Sequence, residues 1–96
     1  VKYRFEWDEN KAMMNLRKHG VSFPEAIKVF DNPSAVEQFD DAHSTEHEQR
    51  FWRLGLANMK LIYVVFTAIE ETIRIIHART ADKRMERMYE REKGKD

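Results

Sequence analysis

Leu61, Ile62, Tyr63, Val64, Val65 and Phe66 follow one another without a polar residue, and Ala68 and Ile69 extend the run across a single threonine. Nine residues are too few to cross a bilayer or to act as a signal sequence. Apolar side chains at every position of 61–66 predict a strand covered on both faces, and therefore a central place in a sheet. Its neighbours supply the partners. Residues 50–56 and 72–79 have strand character, and the connections at 57–60 and 68–71 are short enough for an antiparallel meander.

The first third of the chain has a different period. Tyr3, Phe5 and Trp7 alternate with Arg4 and Glu6, as in a half-buried strand. Asp8 is a good N-cap for a helix over 9–19 with Ala12, Met13 and Leu16 on one face, and Gly20 stands where a left-handed C-cap belongs, ahead of Val21. Ser22 and Glu25 have capping-box spacing, with Pro24 tolerated in the first turn. A second helix over 23–30 should bury Ala26, Ile27 and Phe30 before Asp31, Asn32 and Pro33 stop it. Residues 35–39 read as a strand, 40–48 as an acidic loop, and Thr80 as the cap of a last helix over 81–93. The order β-α-α-β-β-β-β-α is that of an α+β fold, with helices packed on a mostly antiparallel sheet.

The length of 96 residues fits one domain spanning 1–96, and a hydrophobic fraction of 42% excludes a disordered tail. With no cysteine, a disulfide framework, a thiol nucleophile and a cysteine zinc site are excluded. A soluble, cytoplasmic protein is expected. Seventeen basic and seventeen acidic residues cancel, but unevenly: 29–49 holds six acidic residues and no basic one, whereas 74–95 holds eight basic and four acidic. Such asymmetry favours a local polyanion-binding face.

That basic segment contains the candidates. On the last helix Arg84, Arg87 and Arg91 fall on one flank of an apolar stripe of Ala81, Met85, Met88 and Tyr89, with Asp82, Glu86 and Glu90 on the other. Like charges at i,i+4 cost a few tenths of a kcal/mol, so a solvated helix optimised only for itself would interleave them. The row could face phosphates or an acidic partner. Simple alternation along 72–79 puts Ile73, Ile75, His77 and Arg79 on one face. Imidazole exchanges a proton near neutral pH and guanidinium stabilises phosphoryl charge, a pairing suited to RNA cleavage; an edge histidine and a paired arginine would satisfy the same residues structurally. Arg53 is out of phase with Trp52 and Leu54 and could join the same surface. His19, beside Lys18 and Arg17, ends the first helix, where it suits the helix dipole. His43 and His47 have i,i+4 spacing with acidic neighbours, but no third ligand is evident and no metal or cofactor is expected.

Several strings resemble one family in order along the chain. They are Phe5-Glu6-Trp7-Asp8, then Asn-Leu-Arg-Lys-His-Gly-Val-Ser-Phe over 15–23, then Glu25-Ala26. Arg50-Phe51, Leu54-Gly55 and Ile-Arg-Ile-Ile-His-Ala-Arg over 73–79 follow, leading into a basic helix that ends near Tyr89. From about residue 4 to 90 the chain resembles the BrnT toxins of bacterial type II toxin–antitoxin pairs. The resemblance implies a RelE-like fold and metal-independent ribonuclease activity on an RNA substrate. It also implies a BrnA-type antitoxin whose ribbon-helix-helix dimer binds operator DNA, so that the complex represses its own promoter and the toxin meets DNA only through the antitoxin. Arg53, Arg74 and Arg79 would then carry transition-state charge, and Lys18 and His19 match the family's Lys-His-Gly string. The family commonly has serine at the position of His77. Two classes follow: a ribonuclease with Arg53, Arg74, Arg79, His77 and His19 as catalytic residues and Lys18, Arg84, Arg87 and Arg91 on RNA, or a non-catalytic binding module of the same fold. A hydrolase using a metal at His43 and His47 is a distant third.

Overall fold

A computed structural model describes residues 3–93. The chain runs β1 (Arg4–Glu6), α1 (Glu9–His19), α2 (Phe23–Ala26) continued by a 3-10 turn (Ile27–Asp31), then β2 (Val36–Phe39) and a second 3-10 turn (Asp41–His43). It continues through β3 (Arg50–Ala57), β4 (Lys60–Ile69) and β5 (Thr72–Thr80) to α3 (Lys83–Glu92). The five strands form one sheet in the order β1-β5-β4-β3-β2, with β1 parallel to β5 and every other pair antiparallel. The α+β class, the meander and the central place of the apolar strand are as the sequence indicates. No described helix is long and apolar enough to cross a membrane.

Ile62, Val64 and Phe66 of β4 are buried beneath Phe23, Ala26 and Val29 of α2 and its 3-10 continuation. Leu61, Tyr63 and Val65, on the opposite face, are only half-buried, and Ile69 is exposed. The expected cover on both faces is therefore corrected. Among the described residues α3 packs on the second face, against β3, where Leu54 is fully buried. The helix expected over 23–30 is corrected too: it tightens after Ala26, and Val29 is buried where Ile27 and Phe30 are not. Phe23, Ala26 and Val29 recur every third residue, the repeat of a 3-10 helix.

Helix α1 begins at Asp8, whose side chain accepts from the Lys11 amide, and ends at Gly20 with φ 71°. Its expected apolar face is not buried, since Met13 and Leu16 are each about half exposed. The buried residue is Asn15. Strand β1 stops pairing at Arg74, leaving the outer edge of β5 beyond it without a strand neighbour. Asn15 fills that place: its Oδ1 accepts from the Ala78 amide at 3.1 Å, and its Nδ2 donates to the carbonyls of Ala78 at 2.8 Å and Val21 at 3.0 Å.

Asn32 does the same for β3, where Val36↔Leu54 is the first pair with β2. Its Oδ1 accepts from the Leu56 amide and from the Tyr89 hydroxyl of α3, both at 3.2 Å. The fit is close, because a Cβ on Gly55 would lie 2.9 Å from Ala35 Cβ and 3.0 Å from Asn32 Oδ1. The α3 cap is Asp82, whose carboxylate accepts from Met85, and not Thr80 as expected. Pairing of β5 with β4 extends through Thr80, and the Ala81 amide still donates to Leu61.

Replacing Asn15 with the near-isosteric leucine leaves the Ala78 amide and two carbonyls buried without partners. Each such group costs about 1–3 kcal/mol, so urea unfolding of Asn15→Leu should show a loss of about 3 kcal/mol or more.

Candidate active site

The site is set by an irregularity in β5. Register with β4 is regular from Thr72 to Ile75 and from His77 to Thr80, but slips between Val65 and Phe66, leaving Ile76 without a partner. A bulge of this kind reverses which side chains face the core. Ile73 and Ile75 are buried with Phe66 on the inner face, whereas Ala78 takes the buried position after the bulge. His77 and Arg79 consequently point to the open face, paired with Val65 and Tyr63. Simple alternation, which grouped them with Ile73 and Ile75, is corrected. Arg74 projects to the open face as well, where it meets Glu6 at 2.8 Å and lies toward the other end of the strand.

Helix α1 lies along the β5 edge through Asn15, and one turn later its last residue reaches the bulge. The rings of His19 and His77 meet edge to face, with centroids 4.8 Å apart. Lys18 and His19 join Lys11, Met14, Ile76 and His77 around an open cleft of about 500 Å³. Burial holds the His77 imidazole below its ordinary pKa, and the charges of His19, Arg79 and Lys18 lower it further. A neutral, half-buried imidazole can accept a proton near neutral pH, while the surrounding cations favour an anion beside it.

Arg79 opens onto a second, adjoining space. Its guanidinium lies over the Tyr63 ring at 5.1 Å, and Tyr63 in turn meets Trp52 of β3 at 5.8 Å. Across from this wall, Arg84, Arg87 and Arg91 of α3 line the same groove, of about 550 Å³. Among the described residues, neither Arg84 nor Arg87 has a carboxylate within ion-pair distance, while Arg91 meets Glu92 at 3.6 Å and Arg79 meets Asp82 at 3.9 Å. Burial and the charge of Asp40 raise the Tyr63 pKa, against a smaller lowering by Arg79, so the phenol is neutral at ordinary pH. The fold thus places Lys18, His19 and His77 around the cleft and Arg79, Arg84, Arg87 and Arg91 around the groove, with His77 and Arg79 two residues apart on the same face. Trp52 and Tyr63 were not singled out in the sequence, because Trp52 shares its phase with the buried Leu54 and Tyr63 stands inside an unbroken apolar run.

Arg53 does not join this surface, which corrects its expected placement. It pairs in register with Val64, on the inner face, and its side chain donates to the carbonyls of Val29 at 3.0 Å and Asn32 at 3.2 Å. Glu37 at 3.0 Å and the Phe30 ring at 5.4 Å complete its surroundings. Tyr89 is buried and bonded to Asn32, so it packs as its place in the apolar stripe indicates. His43 pairs with Asp40 at 2.9 Å and His47 with Glu46 at 3.5 Å. Among the described residues no group of three or more histidine or acidic side chains is arranged to hold a metal.

Comparison with known proteins adds one finding. A family model described as "Ribonuclease toxin, BrnT, of type II toxin-antitoxin system" matches residues 7–84, more than half of the chain, and takes in the whole cleft but not Arg87 and Arg91 of the groove. None of the curated proteins matches.

The lowered His77 pKa makes a stability prediction. The unfolded chain binds the proton more readily than the native one, so stability should fall as pH drops from about 6.5, the ordinary imidazole value, through the native value. Chemical unfolding across pH 4.5–7.5 should show a shallower acid loss for His77→Gln than for the parent chain. Equal slopes would contradict the assignment.

Proposed function

This chain belongs to the BrnT family, the ribonuclease toxins of type II toxin–antitoxin systems, and from that premise we propose that it cleaves RNA at the His19–His77 cleft. The observation that carries the proposal is the pair of imidazoles 4.8 Å apart, with a guanidinium two residues along the same face. Neutral His77 takes the proton from a ribose 2′-hydroxyl as the 2′-oxygen attacks phosphorus. His19 gives a proton to the departing 5′-oxygen, leaving a 2′,3′-cyclic phosphate and a 5′-hydroxyl. Arg79 and Lys18 meet the charge that develops on the phosphoryl oxygens, where fixed donors act more strongly than water. Arg84, Arg87 and Arg91 hold neighbouring phosphates, while Arg74, ion-paired with Glu6 toward the other end of β5, lies apart from them. Arg53 is left out, because its donors are committed to backbone carbonyls.

The chemistry needs no metal in this scheme, since imidazoles move the protons and cations meet the charge. The type II class supplies a protein antitoxin; we extend the proposal to a BrnA-type partner that covers the basic surface and, bound to operator DNA, represses the operon with the toxin. The RelE-like label, a single domain over 1–96 and a cytoplasmic location belong to the same reading. The order of elements and the mostly antiparallel sheet support the first of these.

Purified protein should cut RNA in the presence of EDTA, and loss of cutting in chelator would overturn metal independence. Arg79→Ala should lower kcat by about 100-fold, the usual cost of one transition-state donor, and an unchanged rate would remove Arg79 from the site. The acid limb of kcat/KM should fall below the ordinary imidazole value. The limb of kcat should lie higher, because bound phosphate favours the charged form of His77.

A further inference from the structure

We propose that the groove between the sheet and α3 is a nucleobase-stacking subsite, in which the base next to the scissile phosphate lies against Trp52 and Tyr63. The proposal rests on the ribonuclease reading and adds a recognition element to it. Trp52, Tyr63 and Arg79 come from three successive strands, β3, β4 and β5, and form one continuous wall on the open face. Both aromatics are half-buried, which fixes their rings while leaving surface in the groove.

The chemistry of the opposite wall narrows the occupant. Arg84 and Arg87 have no ion-pair partner among the described residues, and with Arg91 they line the groove opposite the aromatic rings. Aromatic rings on the sheet side, and guanidinium groups beside Met85, Met88 and Asp82 on the α3 side, match a nucleotide, whose base stacks and whose phosphates bind cations. The position matches as well. Arg79 is two strand residues from His77 on one face, a separation of about 6–7 Å, so a base on this wall belongs to a nucleotide adjoining the phosphate at His77. Stacking accepts any base face, so the subsite positions the strand and favours larger bases without reading one sequence.

The test uses the full chain and an RNA oligonucleotide built around a cleavage position first mapped for the parent protein. One version carries the natural base beside the scissile phosphate and another an abasic ribose. The parent should show a KM about tenfold higher for the abasic RNA, with a much smaller change in kcat. Trp52→Ala should raise KM for the natural RNA by a similar factor and lose the discrimination, while Trp52→Phe should keep it; circular dichroism confirms that both variants are folded. Equal KM for natural and abasic RNA in the parent overturns the subsite and leaves the arginine row as a surface for an acidic protein segment. Failure of the parent to cut any RNA would instead sink the ribonuclease reading, and the subsite with it.

Discussion

Asn15 and Asn32 each donate or accept where a neighbouring strand would have done so, because β1 and β2 are too short to cover the strands they flank. An unpaired amide or carbonyl at a buried edge costs as much as several good contacts supply. The asparagine amide, with a donor and an acceptor on one planar group, mimics a peptide unit. Satisfying the edge of β5 holds α1 against it, and His19, one helical turn beyond Asn15, is thereby carried to His77. Satisfying the edge of β3 engages Tyr89 and so seats α3, which brings its arginines opposite Trp52 and Tyr63. Both walls of the proposed site depend on these two side chains.

Charge is distributed by the same packing. The acidic stretch between residues 29 and 49 is partly neutralised by β3: Glu37 meets Arg53 and Glu48 meets Arg50. These pairs use up the basic residues of β3, leaving the arginines of α3 and the cations around His77 to face the cleft and groove. A chain with zero net charge can therefore carry a concentrated cationic surface while keeping little long-range attraction for polyanions in general. The bulge at Ile76 is the other requirement. Without it His77 would point into the apolar layer with Ile73 and Ile75, where an imidazole without a partner is destabilising.

Much of the fold was legible because it rests on short-range chemistry. Asp8 and Gly20 bracket α1 through local capping, and the unbroken apolar run of β4 has to lie at the centre of a sheet wherever its neighbours fall. The site was legible only in part. His77, Arg79, His19, Lys18 and the α3 arginines were visible as residue types, but their grouping was not, since Arg53 carries the same charge and turns to the other face. Trp52 and Tyr63 went unread because an aromatic residue in a strand is most simply a core residue.

What the sequence by itself determined was the set of elements, their order and the separation of acidic from basic segments, all consequences of periodicity, capping and composition. Tertiary structure alone decided which face each strand residue occupies. A single unpaired residue at Ile76 inverts the alternation of β5, and whether a strand bulges depends on the register of its partner. It also decided that Asn15, polar and in the middle of a helix, would be buried, because the backbone groups it serves belong to a strand 63 residues away.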